Sequence, residues 1–207
     1  MSVRKAITEF DGIYFITITC GHWLNLFELS AGYEEVYKWF DHLKSKGHYI
    51  VGYVVMPNHI HALIGFRNTQ GVSINSIIGE GKRFMSYGII KKLKEKNEIG
   101  LLAQLAAQVN GTDRKRGKQH EVFEPSFDWK ECRSDKFIDQ KLDYLHANPC
   151  RGIWNLVKEE TAYIHSSAKY YVTGEQGVYA VTNYVELEDI DLTKALRFEK
   201  AQSSRSG

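Results

Sequence analysis

Residues 54–64 read "VVMPNHIHALI": two apolar runs meet at a Pro-Asn pair, and two histidines occupy alternate positions in the second run. Proline supplies a fixed φ and asparagine tolerates a tight reversal. The segment therefore predicts a β-hairpin with "HYIVGYVVM" and "HIHALIGF" as its arms. Side chains alternate faces along a strand, so Ile60, Ala62, Ile64 and Phe66 share one wholly apolar face. His59, His61 and Leu63 share the other. The apolar face calls for helices to cover it, and the imidazoles fall on the opposite side. Two rings at i and i+2 stand roughly 6–7 Å apart and can converge on one divalent ion. The same pattern also describes two half-exposed histidines with no role. A metal site needs a third ligand from another element.

The rest of the chain supplies partners for such a hairpin. "GIYFITITCG" (Gly12 to Gly21) is β-branched and aromatic between glycines and predicts a first strand, with Thr17 and Thr19 on a polar face. "SAGYEEVYKWFDHLKSKG" predicts a helix with Ser30 as N-cap and Val36, Phe40 and Leu43 on one stripe. A second helix starts near Ser73 and carries Ile77, Ile78, Met85, Ile89 and Leu93, despite Gly79 and Gly81 near its start. "LLAQLAAQ" predicts a short helix, "NGTDRKRGKQH" an exposed basic loop, and "HEVFEPSF" a fourth strand. From Ser134, "SDKFIDQKLDYLHANP" runs helically until Asn148 meets Pro149. "YYVTG" and "VYAVTNYVELE" are β-prone, and "KAQSSRSG" reads as a frayed end. The order predicts an α+β fold, an antiparallel sheet close to the split βαβ pattern with helices mainly on one face. Residues 1–155 read as the core domain and 156–207 as a C-terminal extension.

Composition narrows the class. The 27 basic and 25 acidic residues of 207 leave a net charge of +2, which neither demands nor excludes a nucleic-acid partner. Cys20, Cys132 and Cys150 are odd in number and lack CxxC spacing, as in a chain kept in a reducing cytoplasm. No apolar run approaches the roughly 18 residues of a membrane span, and "MSVRKAITEFDG" lacks the apolar core of a signal peptide. The expected location is cytoplasmic, away from membranes.

In "QKLDYLHANP", Tyr144 and Asn148 lie one helical turn apart on one face. A phenol and a carboxamide on one face, together with an imidazole pair elsewhere, form a combination with chemical meaning. "YVVMPNHIHALI" followed by "KLDYLHANPCRG", with "GKRFMS" and "VFEPSF" between them, resembles the single-tyrosine HUH transposases. These are the small insertion-sequence and REP-associated tyrosine transposases, and the likeness spans most of residues 10–155. It implies a ferredoxin-like (RRM-like) core that cuts and rejoins single-stranded DNA through a 5′-phosphotyrosine, acting at DNA hairpins and admitting a homodimer. His59 and His61 match the histidines that hold Mg²⁺ or Mn²⁺, and Tyr144 matches the nucleophile. Asn148 stands where the family commonly supplies a third polar ligand, although many members carry glutamine there and His146 is a rival.

Lys82 and Arg83 on the second helix, and Arg133 and Arg151 around the tyrosine helix, are the candidate DNA contacts. Each would add salt-dependent affinity without sequence information. Phe127 and Trp129 are candidates for stacking on a splayed base or for core packing. The stretch from Lys96 to His120 is longer than the family pattern and reads either as a DNA-contacting loop or as a solvated insertion. A domesticated, non-cleaving hairpin-binding protein on the same scaffold is the alternative to an enzyme.

Overall fold

The computed structural model describes residues 11–67 and 71–187. Strands β1 (Gly12–Thr19), β2 (Tyr49–Met56), β3 (His59–Phe66) and β4 (Asp128–Cys132) form an antiparallel sheet in the order β2-β3-β1-β4. Helices α1 (Leu26–Ser30) and α2 (Tyr33–Ser45) link β1 to β2, and α3 (Ile74–Glu95) follows β3. Then come α4 (Ile99–Ala107) and α5 (Gly111–Lys115) before β4, and α6 (Asp135–Ala147) and α7 (Ala168–Thr173) after it. This is the ferredoxin-like α+β arrangement that the sequence pattern predicts.

Parity along the strands sorts the core as expected. Tyr14, Ile16, Ile18, Ile60, Ala62 and Ile64 pack against Val36, Phe40 and Leu43 of α2 and Ile78, Met85, Ile89 and Leu93 of α3. Gly81 explains itself here: a Cβ at that position would fall 2.2 Å from Trp39 Nε1. Most helices lie on this face, but the other is not bare. Ile138, Leu142 and Leu145 of α6 pack there against Phe15, Val51, Val54 and Leu63.

Several local expectations shift. Ser30 does not cap α2; it closes α1, its hydroxyl donating to Leu26 O at 2.5 Å, and α2 begins at Tyr33. The fourth strand is Asp128–Cys132, beyond "HEVFEPSF". That earlier segment contributes a bridge between Phe123 and Cys20, and Pro125 has no N–H to extend a ladder. The basic loop contains the single turn α5, capped by Asn110 Oδ1 accepting from Asp113 N–H at 2.9 Å. "YYVTG" is the end of α7, stopped by Gly174 at φ 77°. Between Val178 and Leu187 no strand forms, and the expected frayed end at 200–207 lies outside the described residues. Among the described residues no helix is long and apolar enough to cross a membrane, and the three cysteines are free thiols.

The segment after α6 closes the outer edge of β2. Val55 N–H donates to His165 O, Ser167 N–H to Tyr53 O and Thr182 N–H to Ile50 O, each at 2.9 Å. The hydroxyls of Tyr163 and Tyr171 donate to Val55 O and Val51 O, both at 2.8 Å. Ser167 Oγ accepts from Tyr53 N–H and donates to Tyr53 O, so its remaining contact, 2.9 Å from His146 Nε2, is accepted from a protonated ring nitrogen.

Burial holds His48 and His146 down at about 4, against an ordinary 6.5. Above 6.5 both rings are neutral, folded or unfolded, and the stability is fully present. Below it the unfolded chain takes up protons that the folded chain resists, so stability falls with pH until about 4. Denaturant midpoints measured across that window should decrease with acid, and His146→Gln should flatten the slope.

Candidate active site

Thr17, Thr19, Trp23, His59, His61, Glu124, Ser126, Phe127, Asp128, Tyr144, Asn148 and Trp154 line a cavity of about 600 Å³ on the face opposite α2 and α3. The sheet register builds one wall: Thr19 pairs with His59, Thr17 with His61 and, on its other side, with Asp128. Helix α6 builds another. A β-bulge at residues 50–52 turns Val51 and Gly52 towards this helix, and a Cβ at Gly52 would fall 2.5 Å from Leu142 Cδ2. With Leu142 seated there, Tyr144 emerges at the flank of the helix, 48% exposed. Its ring lies edge-on to that of His61, with centres 5.3 Å apart, and 5.9 Å from Phe15. The ammonium of Lys141 adds a positive charge 5.5 Å from the same ring.

The two imidazoles are neighbours, their centres 4.6 Å apart. Each has its Nδ1 engaged. Asn58 Nδ2 donates to Trp23 O at 3.1 Å, which turns Oδ1 towards His59 to accept from Nδ1–H at 2.6 Å. Thr17 Oγ1 lies 2.9 Å from His61 Nδ1. The Nε2 atoms remain for a ligand. Burial lowers His59 to about 4. His61 is pushed further down by burial, by His59 and by Lys141. Both rings are therefore neutral at pH 7, the state in which imidazole ligates metal.

The structure thus brings together His59, His61, Tyr144 and Asn148. His146, the rival for the third position, points away and is spent on Ser167. Among the described residues no three His, Cys, Asp or Glu side chains gather as an ion site; a bound ion would draw on the imidazoles, an amide or hydroxyl oxygen, and the substrate. The basic candidates lie elsewhere. Lys82 reaches the carbonyls of Glu124, Pro125 and Ser126 at 2.5, 3.0 and 3.4 Å and so pins the segment that walls the cavity. Arg83, 3.9 Å from Glu80, faces a separate groove between α3 and residues 116–125. Arg133 pairs with Glu131 at 2.8 Å, and Arg151 is exposed just beyond α6. Trp129 packs on Tyr14 at the core side, whereas Phe127 lines the cavity. Sequence reasoning left out Trp23, Trp154, Lys141 and the part of Asn58 beyond its turn.

The sheet and its covering helices define an α+β fold, with a tyrosine beside a histidine pair in its candidate site. Among solved structures, the chain shares its fold with a REP-associated tyrosine transposase bound to a REP hairpin. The TM-score is 0.56 at 16% identity, covering 95% of this chain and 99% of that one. A candidate transposase from Deinococcus radiodurans aligns over 69% of this chain and 95% of its own, with 15% identity and a TM-score of 0.38, too loose a likeness to bear on the fold. No family model matches the sequence, and none of the curated proteins does.

If Gly52 seats α6, Gly52→Val should lower thermal stability by about 1–3 kcal/mol, the usual cost of overpacking. Adding Leu142→Ala to that variant should return part of the loss, since the same space is then vacated. Melting curves of the two single variants and the double variant measure this.

Proposed function

We propose that the chain is a metal-dependent, single-tyrosine HUH transposase that cleaves and rejoins single-stranded DNA at hairpins. The observation that carries the reading is the placement of Tyr144 beside His61, at 5.3 Å between ring centres, in one cavity with His59 and Asn148. The likeness in fold to a transposase bound to a REP hairpin supports the same class of partner.

Two neutral imidazoles with Nδ1 already held by Asn58 and Thr17, and a carboxamide in the same cavity, suit a divalent ion with open coordination positions. His59 and His61 would hold it through Nε2 and Asn148 through its amide oxygen. When bound, Mg²⁺ or Mn²⁺ supplies positive charge at a phosphodiester oxygen. The chain's own part is nucleophilic. The phenolic oxygen of Tyr144 forms a bond to phosphorus as the bond to the 3′-oxygen breaks. The phenol gives up its proton, the departing 3′-oxygen gains one, and the DNA 5′ end stays attached to the tyrosine. The reverse reaction, with another 3′-hydroxyl, rejoins a strand. Arg133 and Arg151 near the two ends of α6, and Arg83 in the groove between α3 and residues 116–125, are proposed to neutralise DNA phosphates outside the cavity.

Incubation with a hairpin oligonucleotide from the DNA flanking its own gene, in Mg²⁺ or Mn²⁺, should give a protein–DNA adduct that survives SDS. Tyr144→Phe should abolish the adduct while keeping hairpin binding within a few-fold. Replacing His59 and His61 together by Ala should remove cleavage and its response to metal. A Phe variant that cuts at a comparable rate overturns the nucleophile. Retarded complexes from the wild-type protein without any adduct overturn the enzyme in favour of a non-cleaving hairpin binder.

A further inference from the structure

Two tryptophans stand at the tyrosine site with no part in the chemistry above. Trp23 and Trp154 both line the cavity, their ring centres 6.3 and 6.0 Å from that of His59. Trp23 is 66% exposed. A large apolar ring left this open forgoes the gain that burial brings. The backbone beneath it is also unusual: His22 and Trp23 sit at φ 51° and 59°, in the left-handed region that residues with a Cβ disfavour. Hydrogen bonds hold them there. His22 N–H donates to Glu124 Oε1 at 3.0 Å, Trp23 N–H to Cys20 O at 3.1 Å, and Asn58 Nδ2 to Trp23 O at 3.1 Å. The other end of that amide accepts from His59. One carboxamide therefore fixes both the ring of His59 and the backbone that presents Trp23.

We infer that Trp23, with Trp154 lining the same cavity, is a stacking subsite for an unpaired nucleobase adjacent to the phosphodiester that Tyr144 attacks. This rests on the reading of the cavity as a DNA-cutting centre. An open indole face is what a splayed base stacks upon, and every base has a face to offer. Bases inside a duplex are already stacked on one another. The subsite therefore selects single-stranded DNA where it leaves a stem, and does so by shape of the π-surface, with no reading of base edges. Its closeness to His59 sets which nucleotide is meant: the one flanking the scissile bond.

The test uses two probes, a DNA hairpin with an unpaired extension carrying a fluorescent adenine analogue next to the stem, and the same hairpin made blunt. The wild-type protein should prefer the tailed probe and quench the analogue. Trp23→Ala should lose about ten-fold in affinity for the tailed probe, the effect of removing one base–aromatic stack. It should also lose the quench and bind the blunt hairpin as before, which controls for folding. Trp23→Phe should restore most of the tail preference, and Trp154→Ala should show a smaller loss of the same kind. Tail preference and quenching that survive in both alanine variants overturn the subsite, even where the Tyr144 adduct still forms. Tail binding that depends on Trp23 in a protein forming no adduct upholds the subsite and removes only the cleavage chemistry.

Discussion

Leu142 resting where Gly52 has no side chain is the contact on which the tyrosine site depends. The bulge in β2 turns Val51 and Gly52 to the same face, and the stripe Ile138, Leu142 and Leu145 settles into the shallow place this makes. Tyr144 precedes Leu145 of that stripe by one residue and so stands about 100° around the helix from it. It therefore faces sideways along the sheet and not down into it. A helix seated a turn higher or lower would carry the phenol away from His61.

The histidines show the complementary constraint. Each is almost wholly buried, yet each ring has its first nitrogen spoken for by a neutral partner, Asn58 or Thr17. Burial keeps the rings uncharged, and a fixed tautomer at His59 keeps a lone pair directed at the cavity. The surroundings are aromatic, with Phe15 stacked on His61 and Trp154 tilted towards His59. Little there competes for the two free nitrogens.

Much of this was legible from residue patterns, for definite reasons. The two-residue period of "HIHALIGF" assigned His59 and His61 to the face away from the core, because parity on a strand is a local property. The pairing of Tyr144 with Asn148 followed from the helical turn in the same way. Contacts made across long stretches of chain were not visible. "YYVTG" reads as strand from its side chains, yet docking of Tyr171 on Val51 O and the stop at Gly174 make it helix. Trp23 carried no local signal, since its exposure and its left-handed φ come from Asn58 and from Glu124, far along the chain. The three carbonyls that take the Lys82 ammonium were equally out of sight, because its sequence neighbours say nothing of them.

The sealing of β2 has a consequence for how the chain is made. The groups that cap this strand, from Tyr163 to Thr182, emerge from the ribosome more than a hundred residues after it. Throughout that interval the nascent sheet carries a rim of unsatisfied backbone, the kind of surface that recruits a stranger's strand. Synthesis past Thr182 is what lets the molecule finish its own border, so a ribosome stalled before that point would release a sheet still open to others.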